Sequence, residues 1–183
     1  GIAFGTDHEK TMDMAVEYLY NLGHRRIALL NTDFSSSQVY LLGYQKAMWE
    51  RNLPVHPDWH IYLDSQLPQV REDQLVQNLQ TQQMAPTAVI IGLISRSATA
   101  YRAIRKLGMR IPEDLSLIGL GSSTHLEELT PPLTVVSQDL EKIADNAAHA
   151  LFAKIMNGNL TLGEWDCAVA PLLIERNSCA KID

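Results

Sequence analysis

The feature that most constrains this sequence is an unbroken apolar run, TAVIIG at residues 87–92, with Pro86 before it and a glycine at its end. Such a run is typical of a strand buried on both faces in the middle of a parallel sheet. A helical spacing of apolar residues follows between positions 98 and 107 and stops at Gly108. Residues 87–108 therefore predict half of a β-α-β unit. The carboxyl end of its strand, near Leu93 and Ile94, is where a ligand would bind.

The same alternation of apolar runs and helical stripes recurs along the whole chain. Five or so strand and helix pairs at this spacing favour an α/β fold. We expect a three-layer parallel sheet with helices on both faces and right-handed crossovers. The other predicted strands lie at 26–31, 60–63, 115–119, 133–136 and 168–174.

Two helices carry clear boundary signals. Thr6 or Asp7 can cap the first helix, and Gly23 can end it in a left-handed conformation. Asp139 can cap a long helix that ends near Asn157. That helix bears one apolar stripe, formed by Leu140, Ile143, Ala144, Ala147, Leu151 and Ile155.

Composition limits the class of protein. The 183 residues carry a net charge of −6, so the chain as it stands is a poor nucleic-acid ligand. Its basic patches, at residues 24–26 and 102–106, are expected to be a solvated turn and a solvated helix face. Cys167 and Cys179 fit free thiols, and no apolar run is long enough to span a membrane. We expect a soluble, cytoplasmic protein.

Enzymatic signatures are weak. The six histidines are scattered, so the sequence predicts no metal site and no cofactor. The Gly119-Leu120-Gly121 run lacks the third glycine of a dinucleotide fingerprint. His125 with Glu127 and Glu128 is interpreted as a polar surface loop rather than an acid–base cluster. We therefore do not expect an enzyme.

Four phrases in register carry a family resemblance. They read YLYNLGHRRIA at 18–28, GYQKAM at 43–48, IPEDLSLIG at 111–119 and PPLTVVSQ at 131–138. Together they resemble the effector-binding domain of LacI/GalR-type transcriptional repressors, which has a periplasmic-binding-protein-like type I fold. The resemblance runs from about Phe4 to Ser178.

The resemblance implies a domain organisation. Residues 1–183 would be a partial effector-binding domain, truncated at its N-terminus. Residues 7–134 and 168–178 would form the C-terminal lobe, and the helix at 139–158 would belong to an otherwise missing N-terminal lobe. Operator DNA would be bound only by a helix-turn-helix that precedes this chain. The apolar stripe of the long helix would then lack part of its packing partner.

The resemblance also assigns an effector site. Sugar- and nucleoside-responsive members carry an arginine where this chain has Tyr40, and an Asn-Asp pair where it has Leu93-Ile94. They carry an aspartate where this chain has Gly121 followed by Ser122, and an aromatic platform where it has Leu67. A site without charged, bidentate partners binds polyols weakly. The candidate effector-binding residues are Ser36, Tyr40, Leu67, Ile94, Gly121 and Ser122.

Several interpretations of this site stay open. The cleft could accept a less polar effector, with Tyr40 and the hydroxyls of residues 35–37 as donors. The site could instead be degenerate, leaving a lobe that acts only in dimerisation. A conventional sugar site built from other residues is a third possibility. Leu93 and Ile94 could equally well be plain core filling.

A homodimer is the other implied feature. The family's dimer seam corresponds to Ala98, Tyr101, Arg102, Leu126 and Leu129, and a solvated surface is the alternative. The predicted function is the ligand-sensing and dimerisation region of a bacterial LacI-type regulator, which controls DNA binding allosterically through a small-molecule effector. A periplasmic solute-binding protein of the same fold is less favoured, because no export signal is seen.

Overall fold

The structure, a computed structural model, describes residues 3–32, 37–63, 68–81, 84–157 and 167–182. Its strands are β1 (Gly5–Thr6), β2 (Ile27–Thr32), β3 (His60–Leu63), β4 (Ala88–Ile91), β5 (Ser116–Leu120), β6 (Thr134–Ser137), β7 (Ala168–Val169) and β8 (Leu172–Ile174). Its helices are α1 (His8–Asn21), α2 (Ser37–Glu50), α3 (Pro68–Thr81), α4 (Ser97–Lys106) and α5 (Leu140–Asn157).

A six-stranded sheet forms the centre of the molecule, in the order β3-β2-β4-β5-β6-β8. The first five strands are parallel, and β8 pairs with β6 in the antiparallel sense. The chain steps from β2 to β3 in one direction and from β3 to β4 in the other. Right-handed crossovers therefore place α2 on one face and α3 on the opposite face. Helix α1 packs on α2 and α3 packs on α4, so the predicted three-layer α/β fold is confirmed.

The strands form where the apolar runs predicted them, because each central strand is covered on both sides. All four residues of β4 and all five of β5 are buried. Helix α1 begins where Asp7 Oδ1 accepts a hydrogen bond from the Lys10 amide at 2.9 Å. It ends before Gly23, whose φ of 98° lies in the left-handed region.

The predicted strand at 168–174 is wrong in two respects. It is two short strands separated by Ala170 and Pro171, since proline has no amide hydrogen to continue a ladder. β7 lies outside the main sheet and pairs in parallel with β1 in a separate two-stranded sheet. β8 alone joins the main sheet, and its antiparallel direction departs from the expected all-parallel arrangement.

The basic patch at residues 24–26 is not wholly the predicted solvated turn. Arg25 and Arg26 are exposed, but His24 is 1% exposed. Its Nδ1 lies 2.9 Å from Thr87 Oγ1, and its Nε2 lies 3.1 Å from the Ala180 carbonyl oxygen. His24 thus joins the start of β2 to the C-terminal segment of the chain.

Helix α5 exposes much of its apolar surface. Asp139 caps it as predicted, with Oδ1 accepting from the Lys142 amide at 3.0 Å. Exposed apolar patches of this kind mark interaction surfaces. The large apolar residues that α5 leaves more than half exposed are Leu140, Leu151, Phe152, Ile155 and Met156.

None of the helices in the described ranges combines the length and apolarity needed to cross a bilayer.

Candidate functional site

The carboxyl edge of the parallel strands is where open α/β sheets bind ligands. Asn31, near the end of β2, is 3% exposed and organises this edge. Its Nδ2 donates to the Ser37 carbonyl oxygen at 3.0 Å, which ties β2 to the first residue of α2. Its Oδ1 lies beside Gly92, at 3.4 Å from the position a Cβ would take there. The ends of β2 and β4 and the start of α2 are therefore held together.

Tyr40, one of the predicted effector-binding residues, lies on α2 behind this edge. Tyr40 is only 6% exposed, so its hydroxyl is less accessible to solvent than that of a surface tyrosine. The His8 ring meets the Tyr40 ring edge-on, with centroids 5.2 Å apart and an interplanar angle of 89°. Burial raises the pKa of Tyr40, so the phenol stays protonated at neutral pH. Tyr40 can therefore act as a neutral hydrogen-bonding group.

Sequence reasoning missed two polar side chains, His8, which contacts Tyr40, and Thr6, two residues before it in sequence. His8 Nδ1 and Thr6 Oγ1 are both buried and have no hydrogen-bond partner among the described residues. Buried polar atoms are nearly always hydrogen-bonded, and an unpaired one is costly. Such atoms mark places where a polar group of another molecule would be stabilised. No spacing rule identifies them, because Thr6 and His8 look in sequence like ordinary helix-start residues.

Two of the predicted effector-binding residues, Ile94 and Gly121, lie next to each other in the structure. Ile94 is half-buried in a short 3-10 turn after β4. Gly121, at the end of β5, has a φ of 118°. A Cβ there would lie 3.3 Å from Ile94 Cγ2, so Ile94 covers the end of β5. This part of the edge is apolar, with exposed Ser122 next to it. The two remaining predicted residues, Ser36 and Leu67, lie outside the described residues.

The predicted dimer residues differ in what they offer a partner. Ala98 and Arg102 are exposed on α4, and Arg102 Nε lies 2.7 Å from Glu72 Oε2. Tyr101 is 4% exposed, and its hydroxyl donates to the Pro131 carbonyl oxygen at 2.8 Å. Leu126 is also 4% exposed. The Tyr101 and Leu126 side chains pack in the chain's own core, and their part in a dimer interface stays a prediction.

Leu129 is half-buried and packs against the same core. Ala98, Arg102 and Leu129 therefore provide the accessible part of the predicted seam. The basic stretch at 102–106 is exposed at residues 102, 105 and 106, as expected of a solvated helix face. Lys106 pairs with Asp73 at 2.6 Å, which adds a second ion pair between α3 and α4.

The polar loop after β5 shows no acid–base geometry. His125 Nδ1 lies 4.0 Å from Glu128 Oε2, and these side chains are 83% and 81% exposed. Exposed pairs of this kind gain little from each other. Across the described residues, no group of His, Cys, Asp and Glu side chains could hold a metal ion.

Comparison with known proteins identifies the family. Residues 16–179 match a family described as the periplasmic binding protein-like domain. The chain is 32% identical over 148 residues to the ribose operon repressor of Haemophilus influenzae, covering 80% of this chain and 44% of that protein. It is 32% identical over 173 residues to the transcriptional repressor PurR of Yersinia pestis, covering 91% of this chain and 48% of that protein. The chain thus spans about half the length of these relatives.

Solved structures agree with the fold. A regulatory protein of the LacI family from Chloroflexus aggregans superimposes with a TM-score of 0.81 at 27% identity. That match covers 96% of this chain and 62% of the other. A LacI family transcriptional regulator from Enterococcus faecium, solved with bound ribose, gives a TM-score of 0.76 at 25% identity, covering 97% and 65% of the two chains. This chain belongs to the periplasmic-binding-protein-like domain family and is a homologue of the LacI-family transcriptional repressors.

Proposed function

We propose that this chain is the ligand-sensing and dimerisation region of a bacterial LacI-type transcriptional regulator, whose binding to operator DNA is controlled by a small-molecule effector. The observation that carries the proposal is the ring contact between His8 and Tyr40, together with the buried polar atoms of His8 and of Thr6, which lies two residues before it in sequence. Two of these side chains hold buried polar atoms without a partner among the described residues, and the third is a protonated phenol in ring contact with His8.

The chemistry of this group indicates the class of effector. Thr6 and Tyr40 offer hydroxyl groups and His8 offers an imidazole nitrogen, and Ile94 with Gly121 supplies an apolar wall. Charged side chains bind carboxylates and phosphates most strongly, and none of these five positions carries an Asp, Glu, Lys or Arg side chain. The effector is therefore a neutral molecule, less polar than a free sugar, with at least one hydrogen-bonding group.

The arrangement of the short sheet supports a two-lobed domain. Three elements, β1, β7 and α5, lie outside the main sheet. The chain passes between these elements and the part that contains the main sheet at Asp7, at Gln138 and at Ala170-Pro171. The relatives are about twice as long as the match. We place β1, β7 and α5 in a second lobe completed by that additional length, which would cover the apolar face of α5. Closure of the cleft would then bend the chain at these three crossings.

A lobe that acts only in dimerisation is the second candidate. The specific observation in its favour is the contact between Ile94 and Gly121, where the resemblance places polar anchors and the chain instead packs an isoleucine over a glycine. A pocket closed by apolar packing would bind no polar effector.

A thermal-shift screen of the full-length regulator separates the two candidates. The compounds are ribose, nucleosides, sugar phosphates and less polar metabolites, and a ligand that binds the folded state raises the melting temperature. We expect a neutral ligand to raise it, and His8→Ala to remove the increase. Absence of any shift, in a folded protein that still binds DNA, would favour the dimer-only lobe.

Dimerisation has its own test. Ala98→Glu places a charge on the exposed part of the predicted seam, whereas Ala85→Glu places one in an exposed loop before β4. Sedimentation velocity should show that Ala98→Glu lowers the dimer fraction while Ala85→Glu leaves it unchanged. A dimer unaffected by Ala98→Glu would move the interface elsewhere.

A further inference from the structure

Asn31 is a polar residue at the end of an apolar run in β2. The four strand residues before it, from Ile27 to Leu30, are buried and apolar, and Asn31 itself is 3% exposed. Burying an amide costs free energy unless its polar atoms are hydrogen-bonded, and a buried polar group can fix one arrangement of the chain. The contacts of Asn31 therefore show which segments it holds in place.

The first contact of Asn31 reaches the helix that carries Tyr40. Asn31 Nδ2 donates to the Ser37 carbonyl oxygen at 3.0 Å. Ser37 is the first residue of α2, and Tyr40 follows it by just under one helical turn. The Tyr40 ring in turn meets the His8 ring edge-on, with centroids 5.2 Å apart. The position of the Tyr40 ring beside His8 therefore depends on where Asn31 holds the start of α2.

The second contact reaches the segment that leads to Ile94. The Gly92 amide donates to the Leu30 carbonyl oxygen at 2.9 Å, so Gly92 continues the pairing of β4 with β2 and lies beside Asn31. A Cβ at Gly92 would lie 3.4 Å from Asn31 Oδ1. The absence of a side chain there leaves room for the Asn31 amide. Ile94 follows two residues later, in the 3-10 turn after β4.

We propose that Asn31 is a positioning residue for the candidate effector site, and that its side-chain amide fixes Tyr40 on α2 relative to Ile94 after β4. Asn31 acts through Ser37 and Gly92 rather than by touching the effector, because it is almost fully buried. The inference rests on the proposed function, in which Tyr40 and Ile94 line the site. The relative placement of these two side chains can nevertheless be measured without an effector.

The test follows Tyr40 and Ile94 by NMR in the full-length protein without ligand. Fluorotyrosine labelling reports Tyr40 and a ¹³C-labelled isoleucine methyl group reports Ile94. The two signals are assigned as those lost in Tyr40→Phe and in Ile94→Val. Asn31→Leu keeps the branching at Cγ and removes the donor to Ser37. We expect this variant to shift both signals at a temperature at which it is folded.

Asn78→Leu is the matched control. Asn78 Nδ2 also donates to a backbone carbonyl oxygen, that of Gln74 on α3, at 2.7 Å. Its replacement should leave the Tyr40 and Ile94 signals unchanged. Gly92→Ala is the second test variant, because the added Cβ presses on the Asn31 amide and should shift the Tyr40 signal. It decides the question if Asn31→Leu does not fold.

A purely structural role of Asn31 makes a different prediction. The melting temperature of Asn31→Leu would fall while the Tyr40 and Ile94 signals of the folded variant stayed in place, and this result would overturn the proposal. Equal shifts in Asn31→Leu and Asn78→Leu would overturn it too.

The thermal-shift screen connects this placement with binding. A compound that raises the melting temperature of the wild type should bind Asn31→Leu about five- to tenfold more weakly and Asn78→Leu with unchanged affinity. Equal affinity of the wild type and Asn31→Leu would count against the proposal. Shifted NMR signals in a protein that binds none of the screened compounds would uphold the placement of Tyr40 by Asn31 and refute the effector function instead.

Discussion

The imidazole of His24 lies 3.1 Å from the carbonyl oxygen of Ala180, across 156 residues of sequence. The opposite ring nitrogen lies 2.9 Å from Thr87 Oγ1, beside the start of β4. The basic stretch at residues 24–26 therefore contains a buried residue, His24, whose hydrogen bonds connect the C-terminal segment to the sheet. The Ile182 amide adds a hydrogen bond to the Leu22 carbonyl oxygen at 2.8 Å.

Acidification should destabilise the protein through His24. Burial, reinforced by the nearby Arg25 charge, lowers the pKa of His24 below its ordinary value. The unfolded chain then binds a proton more readily than the folded one, so stability falls as pH drops below about 6.5. The melting temperature should decrease between pH 7 and pH 5.

His60 acts in the same direction, because burial lowers its pKa too. Comparison with His24→Gln isolates the effect of His24. The variant should start from a lower melting temperature and lose less of it on acidification. Parallel pH curves for wild type and variant would contradict the assignment.

Replacing Gly23 should be far more costly than replacing Gly108. Both have positive φ, at 98° and 71°. A Cβ at Gly23 would overlap the Ile182 carbonyl oxygen, whereas one at Gly108 would have nothing within 4 Å. Gly108→Ala should cost about 1 kcal/mol and Gly23→Ala about 2 kcal/mol or more. Urea denaturation measures the free energy of unfolding of both variants. Equal decreases would contradict the close contact between position 23 and the Ile182 carbonyl oxygen.

Ser178 should matter for stability although it lies near the end of the chain. Its hydroxyl donates to the Leu117 carbonyl oxygen at 2.6 Å and accepts from the Thr134 amide at 2.8 Å. Ser178→Ala would leave the buried Thr134 amide unpaired and should cost about 2 kcal/mol. The exposed Ser122→Ala should change the free energy of unfolding by no more than about 0.5 kcal/mol. Chemical denaturation that finds no difference between the two would argue against this contact.

The two cysteines should react at different rates. The Cys179 thiol donates to the Leu117 carbonyl oxygen at 3.0 Å, and burial raises its pKa to about 12. Since the thiolate is the nucleophile, iodoacetamide at pH 8 should modify half-exposed Cys167 at least about tenfold faster. Peptide mass spectrometry follows both sites, and urea should remove the difference. Equal rates in the native protein would contradict it.

Much of the fold was predictable because apolar periodicity reports burial directly. The run ending at Gly92 predicted β4, and the strand at 60–63 matches β3. The error at 168–174 comes from Pro171, whose missing amide hydrogen allows the chain to leave one sheet and enter another. Which strand each half pairs with depends on contacts between distant segments, and no local pattern encodes those.

The candidate site was less predictable. The family resemblance predicted Tyr40 and Ile94 as effector-binding residues; they lie on α2, which follows β2, and in the turn after β4, and their contact with an effector stays a prediction. Thr6 and His8 were missed, because an unpaired buried atom is defined by its three-dimensional surroundings. His24 was misjudged for a similar reason, since neighbouring arginines suggested solvent while the C-terminal segment supplies its cover.

We propose above that Thr6, His8 and Tyr40 bind the small-molecule effector. The most direct measurement is calorimetric titration of the ligand found by thermal shift into full-length wild type, His8→Ala and His56→Ala. His56 precedes β3 and so lies at the amino edge of the sheet, which makes it the matched control. We predict that His8→Ala weakens binding about tenfold or more and that His56→Ala changes it little. Equal affinities for all three proteins would contradict the claim.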